Sequence, residues 1–140
     1  MLVAPYTQVA ADDCKRSKAD FMGQWATGVL GAWIGGIVAY AVVDKLDPSE
    51  PRYRGDGTYK PNANTAFAIG SWVGSTALIV RAGRRAGRRG CGSFGGAALG
   101  AAVPTVVLLL GRHEPLLPLL GALYIAPLQG LGGTLTFPIR

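Results

Sequence analysis

The sequence predicts an all-α protein: a membrane-embedded bundle of four short, glycine-packed transmembrane helices, the fourth of them broken. Three observations carry the prediction. Four windows hold no formally charged residue: 21–43, 61–80, 90–111 and 115–139. Small residues recur at every fourth position within each window. The basic residues are unevenly distributed, with five arginines falling between residues 81 and 89. Composition agrees. Only 16% of the 140 residues are charged and 21 are Gly, against about a quarter charged and roughly 7% Gly in soluble domains. The length suits one domain. It divides into a polar N-terminal arm, 1–20, and a single four-helix membrane domain, 21–140.

A membrane-spanning helix needs about 20 largely apolar residues, and each window is long enough. The first, FMGQWATGVLGAWIGGIVAYAVV, carries Trp25 and Tyr40 near its two ends, where aromatic side chains favour the membrane interface. The second, PNANTAFAIGSWVGSTALIV, begins with polar residues, among which Asn64 or Thr65 is a candidate N-cap. The third, GCGSFGGAALGAAVPTVVLLLG, starts small and ends strongly apolar, and Pro104 is expected to kink it. In the fourth, PLLPLLGALYIAPLQGLGGTLTFPI, Pro115 and Pro118 suit a first turn, whereas Pro127 is expected to break or tilt the helix. The end of this window, GGTLTFPIR, comes closest to the alternation of a strand, so a non-helical ending is expected there.

The small residues form faces. The first window has Thr27, Gly31, Gly35 and Ala39, and the second has Ala66, Gly70 and Gly74. The third has Gly92, Gly96 and Gly100, and the fourth Ala122, Ala126 and Gly130. Residues four apart share one helix face. A face of Gly and Ala lets another helix approach backbone to backbone, and in lipid such close packing helps drive association. In water each interior Gly would cost a helix about 1 kcal/mol relative to Ala.

If all four windows span, the arginine stretch RAGRRAGRRG is the loop between the second and third. The positive-inside rule then puts Arg81, Arg84, Arg85, Arg88 and Arg89 in the cytoplasm. Both termini follow, with Lys15, Arg16, Lys18 and Arg140. The opposite side holds Lys45, Arg52, Arg54, Lys60 and Arg112, the first four sharing their loop with Asp44, Asp47, Glu50 and Asp56. The arginines therefore read as a topology determinant in contact with lipid headgroups, each worth about 1 kcal/mol near an anionic surface. Nucleic-acid binding would need aromatic or polar readers among them, and only Gly and Ala intervene.

No chemistry-bearing constellation stands out. GCGSFG matches GxGxxG literally but follows an arginine run rather than a strand, with no acid about 20 residues on. His113 is the only histidine, and Glu114 alone beside it makes too few ligands for a metal. Cys14 and Cys91 lack CxxC spacing. A disulfide between them stays open, although the predicted topology puts both on the reducing side and favours free thiols. The N-terminal MLVAPYTQVAADD reads as a short arm rather than a signal peptide, having no basic n-region and no long apolar segment. Apart from Cys91, Tyr40 and Tyr124 the windows hold no ionisable residue, which argues against a proton-coupled pump. No enzyme activity, metal or cofactor is expected.

The stretches GVLGAWIGGIVAY, GSWVGSTALIV, GSFGGAALGAA and YIAPLQGLGGTLTF resemble the small glycine-rich integral membrane proteins of bacterial envelopes that have no assigned activity. In outline the chain is also similar to the mitochondrial Tim17/22/23 group. That resemblance implies four glycine-packed spans and a role in protein translocation or as an accessory respiratory subunit. It covers about residues 21–139, rests on glycine spacing and transfers no functional residue. The expected function is thus a structural or accessory membrane protein, associating with lipid and with itself or other membrane subunits, and located in the bacterial inner membrane. A small channel or translocation component is the alternative. A membrane-tethered binder of nucleic acid or an acidic partner through residues 81–89 is a second alternative.

Overall fold

The computed structural model describes residues 18–46, 61–85, 92–112 and 116–138, and these are helical with no strand among them. Three long helices come first: α1 (Lys18–Leu46), α2 (Pro61–Arg85) and α3 (Phe94–Leu110). A fourth rod follows in three parts: α4 (Leu117–Leu120), a π-helical segment (Gly121–Ile125) and α5 (Ala126–Thr136).

Local chemistry sets the ends. Asp20 lies in the first turn of α1 and Lys45 in its last, each favourable to the helix dipole. Pro61 opens α2, where the missing N–H costs nothing. The helix therefore starts before Asn64 and Thr65, and neither is its cap. Asn64 instead reaches across, its Nδ2 donating to Arg112 O at 2.9 Å. Ser93 caps α3 from extended backbone (φ −127°), its Oγ accepting from Gly96 N at 2.9 Å. Pro104 lies inside α3, which continues through it.

The fourth rod refines one expectation and corrects another. At Pro127 the regular α-helix is interrupted, as expected, but the chain stays helical: it widens to a π turn just before the proline, with Ala126 N–H bonding back to Gly121 O. The segment read as strand-like is helical as far as Thr136, and Phe137 N still bonds to Gly133 O at 2.9 Å. A further correction concerns the arginines. Arg81, Arg84 and Arg85 belong to the last turns of α2 and not to a loop; Arg88 and Arg89 lie outside the described residues. Lys18–Asp20, read as part of the polar arm, form the first turn of α1.

Consecutive rods run antiparallel. Gly31 meets Gly74 while Gly35 meets Gly70, and Gly96 bonds to Thr136 while Thr105 bonds to Gln129. Packing closes a ring in which α1 and α3 each touch both α2 and α5, and α2 and α5 also meet across the centre.

The buried interior mixes apolar clusters with an unusual share of polar side chains, and the outer surface is rich in large aliphatic ones. The largest fully buried side chains include three that are apolar, Phe67, Ile79 and Leu108, and six that are polar: Gln129, Asn64, Thr76, Thr134, Ser71 and Ser75. Outside, Ile34, Ile37, Val38, Leu99, Val103, Leu110, Leu123 and many like them are exposed. In α1 only 22% of the most apolar 18-residue stretch is buried within the bundle. Two helices, over Lys18–Leu46 and Asn62–Arg84, are long and apolar enough to cross a membrane; Phe94–Leu110 is a shorter apolar helix.

Candidate functional site: two glycine seams and a polar centre

Each helical hairpin is closed by a glycine seam. Between α1 and α2, a Cβ on Gly31 would lie well inside 3.0 Å of Gly74 O, and one on Gly35 would do the same with Gly70 O. The relation is reciprocal, since Gly70 and Gly74 would strike the carbonyls of Gly35 and Gly31. Ala39 continues the seam, its methyl lying against Gly70. Backbone cannot yield as a flexible side chain can, so these four positions admit only Gly at this separation. Between α3 and α5 the same relation joins Gly100 to Gly132, with Thr136 Oγ1 alongside.

The remaining small residues are scattered around these seams. Gly96 is buried, and its carbonyl accepts from Thr136 Oγ1 at 2.5 Å. Gly130 packs on the backbone of Trp25 and Val29, and Ala126 is buried with Val29 and Ala32. Ala122 packs at the edge of the cluster formed by Phe67, Ala68, Leu108 and Leu117. Gly92 faces the ring of Phe137. Thr27 bonds within its own helix, to Gly23 O at 2.7 Å, and Ala66 is half-buried. Sequence spacing missed Gly132, the α5 half of the second seam, although Gly132 and Thr136 are themselves small and four apart. It also missed Phe137, whose buried ring faces both Gly83 and Gly92.

The centre of the ring is polar. Gln129 is fully buried, and its Nε2 donates to Ser71 Oγ at 3.0 Å and to Thr105 Oγ1 at 2.8 Å. Ser71 and Thr105 direct their own protons to backbone, at Ala68 O and Ala101 O. Both hydroxyls therefore have only lone pairs left for Gln129, which fixes the amide orientation, with nitrogen towards them and Oε1 away. Gln129 thereby links α5 to α2 and α3. Gln24 adds a link nearer one end, its Nε2 donating to Ile79 O at 3.0 Å. Gln129 Oε1, Ser75 Oγ and Thr76 Oγ1 are buried and make no hydrogen bond among the described residues. A buried polar atom left so costs about 1–3 kcal/mol.

All three tryptophans donate their indole N–H to a carbonyl on another helix: Trp25 to Pro127 O at 3.0 Å, Trp33 to Ala122 O at 2.7 Å and Trp72 to Ala98 O at 2.9 Å. Trp25, expected from the sequence to favour a membrane interface, has its indole tied into the bundle. At the rim, Arg81 and Arg84 are exposed at the end of the ring where α1 begins with exposed Lys18; Lys45 and Arg112 are exposed at the other end. No group of three or more His, Cys, Asp or Glu side chains gathers among the described residues. Cys14, Cys91 and His113 lie outside them, as does the outer loop with Tyr53 and Tyr59.

Comparison with known protein families, characterised proteins and solved structures finds no match to this chain.

Proposed function

We propose that this chain is an integral membrane protein with a structural or accessory role, a bundle of four short helices that sits in lipid and contributes its outer faces to a larger assembly. The observation that carries the reading is the apolar exterior: many large Leu, Ile and Val side chains are exposed, while Ser, Thr, Asn and Gln are buried beside the apolar clusters. In water this arrangement forfeits the main driving force of folding. In lipid the exterior is at ease, and close glycine packing with internal hydrogen bonds does the holding. The glycines of both seams are engaged within the chain. Association with a second copy or another subunit therefore falls to the aliphatic faces, not to the small-residue grooves.

The experiment is fractionation of cells expressing the full chain. The protein should sediment with membranes, resist alkaline carbonate and need detergent for release. A monodisperse, detergent-free protein in the supernatant would overturn the reading. Replacing Arg81, Arg84, Arg85, Arg88 and Arg89 with Gln should scramble topology as mapped by cysteine labelling of the termini. Retained topology with loss of salt-sensitive polyanion binding would instead favour a membrane-tethered binder.

The polar centre favours one second reading, a small channel or translocation component. Ser71, Ser75, Thr76, Thr105 and Gln129 give the interior hydrogen-bonding character at the level where a path would run. Solute flux through reconstituted vesicles decides between the two.

A further inference from the structure

We propose that Gln129 Oε1 and the hydroxyls of Ser75 and Thr76 hold a buried water molecule at the centre of the bundle. A buried Ser or Thr ordinarily returns its proton to a carbonyl three or four residues back. Ser71 and Thr105 do so in this bundle, to Ala68 O and Ala101 O. Ser75 and Thr76 are just as buried, at 0% and 1% exposed, and do not.

Register places them together. Ser71, Ser75 and Ile79 follow one another at four-residue spacing on a single face of α2. Ser71 accepts from Gln129, and Ile79 meets Gly133, one turn further along α5. Ser75 therefore sits opposite the turn of α5 between Gln129 and Gly133. Thr76 is the next residue, four beyond Trp72, which bonds to α3. Close to this level are Gly133 and Ala101, neither with a side chain larger than methyl.

The chemistry selects the occupant. Gln129 has spent both amide protons on Ser71 and Thr105, so its oxygen offers an acceptor only. The two hydroxyls each offer a proton and lone pairs. An anion would face the amide oxygen, and a cation would find only neutral oxygens, two of them carrying protons. A neutral molecule that both donates and accepts matches the set, and water is the smallest such molecule. Buried waters typically make about three hydrogen bonds to groups otherwise unsatisfied.

The site is closed on both sides. Along α2 the apolar cluster around Phe67 and Leu108 precedes Ser71, and the cluster of Ile79, Val80, Ala97 and Phe137 follows Thr76. The water exchanges only when helices part, so its residence is long.

The test is nuclear Overhauser spectroscopy of the full chain in detergent micelles, reading water contacts at the non-exchanging methyl protons of residue 76. The expected result is a cross-peak to water with a residence beyond nanoseconds, lost in the S75A/T76V double variant, with the variant melting at lower temperature. Three results would overturn the proposal: no such cross-peak in the wild type, a cross-peak unchanged in the double variant, or a double variant that melts higher because orphaned hydroxyls have been removed. Should the double variant not assemble, S75A alone carries the same readout, and the wild-type cross-peak decides by itself whether water is there. None of these outcomes depends on where in the cell the bundle resides.

Discussion

Trp33 donates its indole N–H to the carbonyl of Ala122 at 2.7 Å, across 89 residues of chain. The bond answers a need created by two other residues. Ala122 O would ordinarily accept from Ala126, four residues on. In the π segment Ala126 bonds to Gly121 instead, and the next donor position is occupied by Pro127, which has no N–H. The carbonyl is thus stranded by its own helix and served by a neighbour. Tryptophan suits the task because it couples a large apolar body to one fixed donor.

Replacing Trp33 with Phe keeps an aromatic ring and removes the donor. With lipid around the bundle, as proposed, the expected loss is about 1–3 kcal/mol, the cost of a polar group left unmet away from water, with faster amide exchange around residues 121–126. Trp72→Phe should cost less, because Ala98 lies within α3 and keeps its ordinary helical donor. Equal losses in reversible unfolding of the two variants would contradict the account of Ala122.

Glycines can be sorted by what a methyl would meet. Gly31→Ala and Gly35→Ala press Cβ into the carbonyls of Gly74 and Gly70, and overpacking of this kind costs about 1–3 kcal/mol. Gly23 has nothing within 4 Å, so Gly23→Ala should be neutral or stabilise by up to about 1 kcal/mol through helix propensity. Gly31→Leu and Gly35→Leu should prevent assembly of the hairpin altogether. Denaturant titration in micelles ranks the series, and a destabilising Gly23→Ala would show that the glycine effect is not one of contact.

The windows and the first seam were legible in the sequence. In lipid, uncharged runs of this length have few ways to satisfy their backbone other than helix, and the four rods fall within or across the four windows. Gly31, Gly35, Gly70 and Gly74 were legible as candidates because small residues four apart share a face. Their pairing was not, since spacing within one helix says nothing about which other helix approaches. Gln129 sits in an uncharged window and drew no notice, although a Gln among 25 uncharged residues is a signal; its partner Ser71 is 58 residues away.

Phe137 closes the end of the ring near Arg84. Its ring is buried against Gly83 and Gly92, and its carbonyl accepts from Ser93 N at 2.9 Å. Phe137→Ala should cost about 3–5 kcal/mol, as expected for emptying an aromatic site. Loss should show first as exchange of the Ser93 amide. A variant as stable as wild type would mean that the end of the ring is not closed by this residue.

Ser93 caps α3 through Gly96 N. Ser93→Ala should lower stability by about 0.5–2 kcal/mol, whereas Ser93→Asp, which keeps an acceptor, should recover most of it. Thermal unfolding of the pair separates loss of the cap from loss of packing.

By itself the sequence determined the number of helices, their approximate limits and the abundance of small residues on their faces. These follow from local properties: charge spacing, helix period and the size of each side chain. Only the tertiary structure decided that glycine pairs with glycine inside each hairpin, that the fourth rod absorbs Pro127 by a π turn capped from Trp33, and that the centre is polar. Each of those depends on atoms brought together from distant parts of the chain, where a hydrogen bond or a backbone contact is satisfied by geometry that no single segment contains.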